Sequence, residues 1–322
     1  MKMKSFTIMS VVMISLFHLT GISQNNSRQH PPPNREVDTR IDNMGYWTRM
    51  AELGLVPVNP VIPFRPAEYK GSEIESPALA PQDSPDVPVT SLNNTTQSEN
   101  SIFVDPNDNT YALNSNNSTT WNGSSVGSLY GADYWTTANS GSSWSGSVQG
   151  AGGGNSGDPT TAISNSGRHY IGYISDSYGQ GVSYSDNGVN WTSVDVAPAP
   201  PGWNSMLDKN HMWIDNSPTS PYDGYLYDAW TPFGGGNDTE IEIARSTNNG
   251  VSWSSAQNVS SAVNAGSHNQ GVNIQTGPNG EVYVVWTIYD SWPSDETAMG
   301  MAISTNGGSS YGSAFRIITR TL

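Results

Sequence analysis

The sequence predicts an all-β chain, a β-propeller of four-stranded antiparallel blades, on three observations. A short turn sequence recurs four times, a Tyr-led strand pattern recurs ahead of it, and the composition suits many short strands. The 322 residues include 33 Gly, 11 Trp, 15 Tyr and no Cys, and only 13% are charged. Such a chain favours pleated, half-buried surfaces joined by tight turns over helices.

The turns read Thr137-Ala-Asn139-Ser-Gly141-Ser-Ser-Trp144, Tyr184-Ser-Asp186-Asn-Gly188-Val-Asn-Trp191, Ser246-Thr-Asn248-Asn-Gly250-Val-Ser-Trp253 and Ser304-Thr-Asn306-Gly-Gly308-Ser-Ser-Tyr311. Asn or Asp hydrogen-bonds its own turn, Gly takes the left-handed position, and the aromatic buries its ring as the return strand begins. Spacings of 47, 62 and 58 residues between the glycines mark a repeat architecture. The second strands carry Tyr with another aromatic three residues on: Tyr170 and Tyr173, Tyr227 and Trp230, Tyr283 and Trp286, with Tyr111-Ala-Leu-Asn114 as a weaker first copy. A four-stranded meander of about fifty residues is a propeller blade, so four blades are expected at about 95–152, 153–200, 205–260 and 262–320.

Ahead of the repeats, residues 1–24 have the layout of a signal peptide, with Lys2 and Lys4, an apolar run from Phe6 to Leu19 and small residues before Gln24. The expected localisation is secreted, periplasmic or cell-surface, with no membrane span, because the apolar run is short and interrupted. Residues 25–94 form a Pro-rich leader in which Asp42 to Leu53 could make one short helix capped by Asp42 or Asn43. That leader is expected to pack along the outside of the propeller. A net charge of −15 excludes nucleic acid as a partner, since phosphates call for Lys and Arg. No cofactor is implied, and no His, Asp or Glu spacing suits a metal.

Aligning the inner strands on Val104, Ile163, Ile214 and Ile274 places Glu99, Asp158, Lys209 and Asn269 at equivalent positions around the channel mouth, with Ser101, Thr160, His211 and Gly271 two residues on. Glu99 and Asp158 are then the candidate catalytic pair, because glycoside hydrolysis commonly uses two carboxyl groups. Lys209, His211, Asp208, His268 and Gln270 are candidate ligand contacts. The other reading of these residues stays open: Asp158 and Asp208-Lys209 as repeat-start residues tying blades together, His211 and His268 as structural histidines.

The four turns resemble the Asp-box, S-x-D-x-G-x-[ST]-W, of sialidase-superfamily propellers. The stretch from Asp208-Lys209 through Asp215 and Gly224 to Trp230-Thr231 resembles a segment of secreted bacterial sialidase-like members. The resemblance covers about residues 95–320 and implies that Asn139, Gly141, Trp144, Asp186, Gly188, Trp191, Asn248, Gly250, Trp253, Asn306, Gly308 and Tyr311 are structural. It further implies an incomplete ring of six or more blades, truncated at its C-terminus, with the rest coming from a longer chain or another subunit. A sialidase also needs three Arg, a Tyr nucleophile and an Asp acid/base. The nearest string to its F/Y-R-I-P motif is Pro63-Phe-Arg65-Pro66; within the blades only Arg168, Arg245, Arg316 and Arg320 remain, and Arg168 and Arg245 fall in peripheral positions. The expected function is a sialidase-like propeller acting on or binding a glycan or glycoconjugate. A non-catalytic binder of glycan or protein partners, and a hydrolase of another polysaccharide such as xyloglucan, stay open beside it.

Overall fold

The computed structural model describes residues 36–57, 87–90, 95–121, 126–151, 154–263, 266–294 and 296–319. The expected signal peptide, most of the Pro-rich leader, the Phe64-Arg65-Pro66 string and Arg320 lie outside the described residues. What is described is nearly all β: four antiparallel sheets arranged as propeller blades. Among the described residues no helix is long and apolar enough to cross a membrane.

The first sheet holds β1 (Thr95–Asp105), β2 (Asp108–Trp121), β3 (Val126–Ala132), β4 (Tyr134–Thr137) and β5 (Ser145–Ser147). It has five strands rather than four, because the long β2 pairs with β3 along 117–121 and with β4 along 112–114. The second sheet is β6 (Thr160–Ile163), β7 (His169–Ile174), β8 (Gln180–Ser185) and β9 (Thr192–Ala197). The third is β10 (Met206–Ile214), β11 (Leu226–Phe233), β12 (Glu242–Ser246) and β13 (Gln257–Asn258), and the fourth is β14 (His268–Thr276), β15 (Val282–Tyr289), β16 (Ala298–Ser304) and β17 (Phe315–Thr319). In these three the spatial order of the strands is the order of the chain. The first strands stand side by side, β1 against β6, β6 against β10 and β10 against β14, so they line the axis.

Burial follows from stacking. Every residue of β7 and of β11 is buried, because a neighbouring sheet covers each face. On β15 burial alternates instead: Val282, Val284, Trp286 and Ile288 are buried, while Tyr283, Val285, Thr287 and Tyr289 are half-buried. Strand side chains point alternately to opposite faces, so the fourth sheet is covered on one face.

Three of the turns share one geometry. Asn248 Oδ1 accepts from Ser252 N and Ser246 Oγ, both at 3.0 Å, while Gly250 N donates to Ser246 Oγ at 3.0 Å. Asn139 and Asn306 repeat these bonds with Thr137 and Ser143, and with Ser304 and Ser310. The second turn corrects the expectation. Ser185 and Asn187 make its bonds in place of Tyr184 and Asp186, and the loop before Gly188 is one residue shorter. Asp186 is freed to pair with Arg168 at 2.6 Å. The aromatics are also placed differently from expectation. Trp144, Trp191, Trp253 and Tyr311 precede their return strands and are half-buried.

The turn glycines explain the second-strand tyrosines. A Cβ on Gly188 would sit 3.0 Å from Tyr111 Oη, one on Gly250 3.0 Å from Tyr170 Cε1, and one on Gly308 2.7 Å from Tyr227 Cε1. Each turn therefore packs on the tyrosine of the preceding sheet. The two sequence repeats are two halves of one inter-sheet contact.

Candidate functional site at the channel mouth

Inner strands β1 and β10 each carry an irregularity near their leading end: the register jumps between Ser98 and Ser101, and between Asp208 and His211. There Glu99 (φ 51°) and Lys209 (φ 51°) take left-handed backbone, as does Asp158 (φ 56°) just ahead of β6. Non-glycine residues seldom adopt that conformation, and holding one there costs about 1–3 kcal/mol. Bulges re-aim side chains. Three successive sheets thus turn a charged residue into one mouth.

The fourth sheet differs from the sequence alignment. Its bulge lies between Gln270 and Asn273, and Gly271 (φ 70°) holds the left-handed position. Tyr227 pairs with Trp213 and Tyr283 with Gln275, which makes Gly271 the counterpart of Lys209. Aligning on Ile274 slips by two residues. Asn269 instead points away, donating to Thr239 O and accepting from Trp286 Nε1.

The charges converge closely. Lys209 Nζ lies 2.9 Å from Glu99 Oε1, 3.6 Å from Asp42 Oδ2 and 3.9 Å from Asp158 Oδ2. Asn117 Nδ2 donates to Glu99 Oε2 at 2.6 Å and to Asp158 Oδ1 at 3.3 Å, and Asn117 Oδ1 accepts from Asp158 N at 2.7 Å. Asp158 is 7% exposed, and its Oδ2 has no hydrogen-bond partner. Beside it opens a cavity of about 220 Å³ lined by Asp42, Asn43, Met44, Glu99, Asn117 and Asp158.

The environment sorts the carboxyls by protonation. Burial pushes Asp158 well above the usual carboxylate range, and the Asp208 charge adds to this. Burial also raises Glu99, but its hydrogen bonds with Asp158 and Lys209 and the ammonium charge outweigh that and hold it low. Lys209 is held above its ordinary value: burial lowers it, and the Asp158 and Glu99 carboxylates more than offset that. The mouth therefore brings together a carboxyl whose burial disfavours its charge, a carboxylate and an ammonium within a few ångströms. Asn117 Nδ2 and Lys209 Nζ each reach both the Glu99 and the Asp158 carboxyl. Glycosidase carboxyls flank the scissile bond across about 5–9.5 Å, and here Asn117 and Lys209 occupy the space between them.

The other candidate contacts separate. Asp208 is fully buried beneath Lys209, pushed by burial to about 7, and accepts from Asp42 N at 3.4 Å. It supports the site from behind. His211 accepts from Ile274 N through Nδ1 at 3.2 Å, stacks on Trp213, and is pushed by burial to about 4. It is a neutral tie between the third and fourth sheets, bonded to Asn273 and Ile274 of β14. His268 is buried between Phe233 and Trp292, with Nε2 at 2.9 Å from Gln270 Oε1.

Sequence reasoning missed Asn117 and Asp42. Asn117 lies on the least regular copy of the second strand, and Asp42 in the leader. The leader does not run along the outside at this point. Helix α1 (Met44–Glu52), capped by Asn43, buries Tyr46 and Met50 against Ile174, Met206 and Phe233 at the leading ends of the blades. Asn43 Nδ2 donates to Ser156 O at 3.0 Å, and Arg40 pairs with Asp38 and Asp238. The leader forms one wall of the mouth.

The remaining described arginines are engaged elsewhere: Arg168 with Asp186, Arg245 with Gly307 O, Arg316 with Asp290, and Arg49 over the Tyr178 ring. Among the described residues no group of three or more His, Cys, Asp or Glu could hold a metal ion.

No protein-family model matches the chain, and no curated protein matches it. Solved structures do. A protein of unknown function from Dyadobacter fermentans is 14% identical with a TM-score of 0.50, over 74% of this chain and 68% of its own. A GH93 α-L-arabinofuranosidase of Fusarium graminearum, complexed with arabinobiose, is 12% identical with a TM-score of 0.48, over 70% and 68%. A GH43 α-L-arabinofuranosidase of Clostridium thermocellum is 15% identical with a TM-score of 0.40, over 68% and 71%. At these identities the likeness is one of fold.

Proposed function

We propose that the protein is an exported carbohydrate-directed propeller whose ligand sits at the channel mouth on Glu99, Asp158, Asn117 and Lys209. The observation that carries this reading is the convergence of three left-handed charged residues, two of them lining a cavity, with an unpartnered, buried Asp158 Oδ2 among them. Sugar hydroxyls both donate and accept, and a mouth presenting a carboxylate, a buried carboxyl and an ammonium answers both roles. The basic and apolar start of the chain supports export.

The arrangement favours a neutral glycan over sialic acid. A sialic acid carboxylate calls for arginine, and the described arginines are engaged away from the mouth. Among the described residues the cation there, Lys209, already faces three carboxyls. Binding without hydrolysis is the primary reading, since Asn117 and Lys209 stand between Glu99 and Asp158 and engage both. The raised Asp158 favours a second reading, in which it is the general acid of a glycoside hydrolase once a ligand separates the pair.

The test is an array of neutral and anionic oligosaccharides probed with wild type and Glu99→Gln, followed by sugar-release assays on any bound glycan. Binding of neutral glycans that Glu99→Gln abolishes supports the proposal. Exclusive binding of sialylated glycans, or binding that Glu99→Gln leaves intact, overturns it.

A further inference from the structure

We propose that the mouth continues across the fourth sheet into a second sugar subsite built on the exposed ring of Trp292. This rests on the reading of the mouth as a carbohydrate site. Three sheets fill their quadrant of the mouth with Glu99, Asp158 or Lys209, and the fourth presents Gly271. A Cβ there would meet only Thr287 Oγ1, at 3.8 Å, so this quadrant is open. Next to Gly271 stands Gln270, partly exposed, its Oε1 on His268 and its Nε2 without a partner among the described residues. His268, bonded to Gln270, also stacks on Trp292, in the loop joining β15 to β16.

Trp292 is 39% exposed yet its ring is firmly held. His268 stacks beneath it with centroids 4.1 Å apart, and Tyr289 meets it edge-on at 5.0 Å. Tyr289 Oη is itself bonded to Glu296 at 3.3 Å, and His268 rests on Phe233. Both supports sit at the leading end of the sheet, where β14 begins and β15 ends. A fixed, half-open aromatic face loses little freedom on binding. Beside an amide donor it suits a pyranose or furanose ring, which offers C–H groups on one face and hydroxyls around its edge. The ligand is then an oligosaccharide anchored at Lys209 and running outward over Gly271.

The test titrates arabino-, galacto- and xylo-oligosaccharides of graded length into wild type, Trp292→Ala, Trp292→Phe and Glu99→Gln, following tryptophan fluorescence. Circular dichroism establishes that each variant is folded. The expected result is a loss of about three- to tenfold in affinity for the longer sugars in Trp292→Ala. Trp292→Phe should lose less, and the shortest sugars should bind as before. A Trp292→Ala protein that binds the longest sugars as tightly as wild type, while Glu99→Gln does not, overturns the subsite and leaves the mouth standing. If wild type binds none of these sugars, both readings fall. Should Trp292→Ala not fold, Trp292→Phe decides, because an unchanged length dependence together with an unchanged fluorescence response would overturn the subsite.

Discussion

Lys209 Nζ, on the third sheet, lies 2.9 Å from Glu99 Oε1 on the first, spanning the head of the second sheet. The pair ties the inner strands of the first and third sheets together, with Asp158, raised by burial, beside it. Replacing Lys209 with Met leaves Glu99, Asp158 and Asp42 facing one another without a cation. The expected loss is about 1–3 kcal/mol at neutral pH, smaller in acid, where the carboxyls are protonated. A double-mutant cycle with Glu99→Gln should show coupling between the two sites. Additive effects in urea denaturation would mean that the ion pair does not bind the sheets together.

Asp208 sets a pH dependence whose direction is fixed. Burial lifts its folded value from the ordinary 3.8 to about 7, so the folded chain holds a proton that the unfolded chain has released. Its contribution to stability is fully present below 3.8 and is lost as pH rises to about 7. Asp208→Asn should flatten that part of the stability profile. Urea midpoints at about pH 5 and about pH 8 measure it, and an undiminished drop in the variant would place the dependence elsewhere, with Asp228, raised by burial to about 8, as the next residue to replace.

The turn at Asn248 separates hydrogen bonding from inter-sheet packing. Asn248→Ala removes the acceptor for Ser252 N and Ser246 Oγ and should cost about 1–2 kcal/mol, while Asn248→Asp keeps that acceptor and should cost little. Gly250→Ala should be worse. It adds a left-handed alanine, costing about 1–2 kcal/mol, and pushes its methyl group against Tyr170. Thermal midpoints should fall from Asn248→Asp through Asn248→Ala to Gly250→Ala.

Met50 tests whether the leader belongs to the folded body. Its side chain is fully buried between α1 and the ends of the second and third sheets. Met50→Ala should destabilise by about 2–5 kcal/mol, measured by denaturant titration. A leader merely resting on the surface would lose a few tenths.

Much of the fold was legible because propellers repeat. The turn at Asn248 and the strand around Tyr227 each recur, and the recurrences mark the blades. That a turn glycine packs against the preceding tyrosine was not legible, since the contact joins neighbouring repeats. At the site, Glu99, Asp158 and Lys209 were found because the same left-handed position falls at the same offset from Val104, Ile163 and Ile214. The offset fails at Ile274, where no single residue type marks the bulge. Asp42 and Asn117 follow no period at all, and their places come from how α1 and β2 pack.

The alternation of burial along β15 has an energetic corollary. Sheets stacked face to face behave as a row in which each member is held by its neighbours. A member gripped from one side opens more readily than one gripped from both. Amide hydrogen exchange should therefore be graded along the row: slowest in β7 and β11, faster in β15 and β16. Tyr283 stands where Tyr111, Tyr170 and Tyr227 each receive a glycine turn, and it should report the fastest local opening of these four positions. Ligand bound at the mouth would slow exchange most in the leading ends of β1 and β10, leaving the far ends of the same strands unchanged.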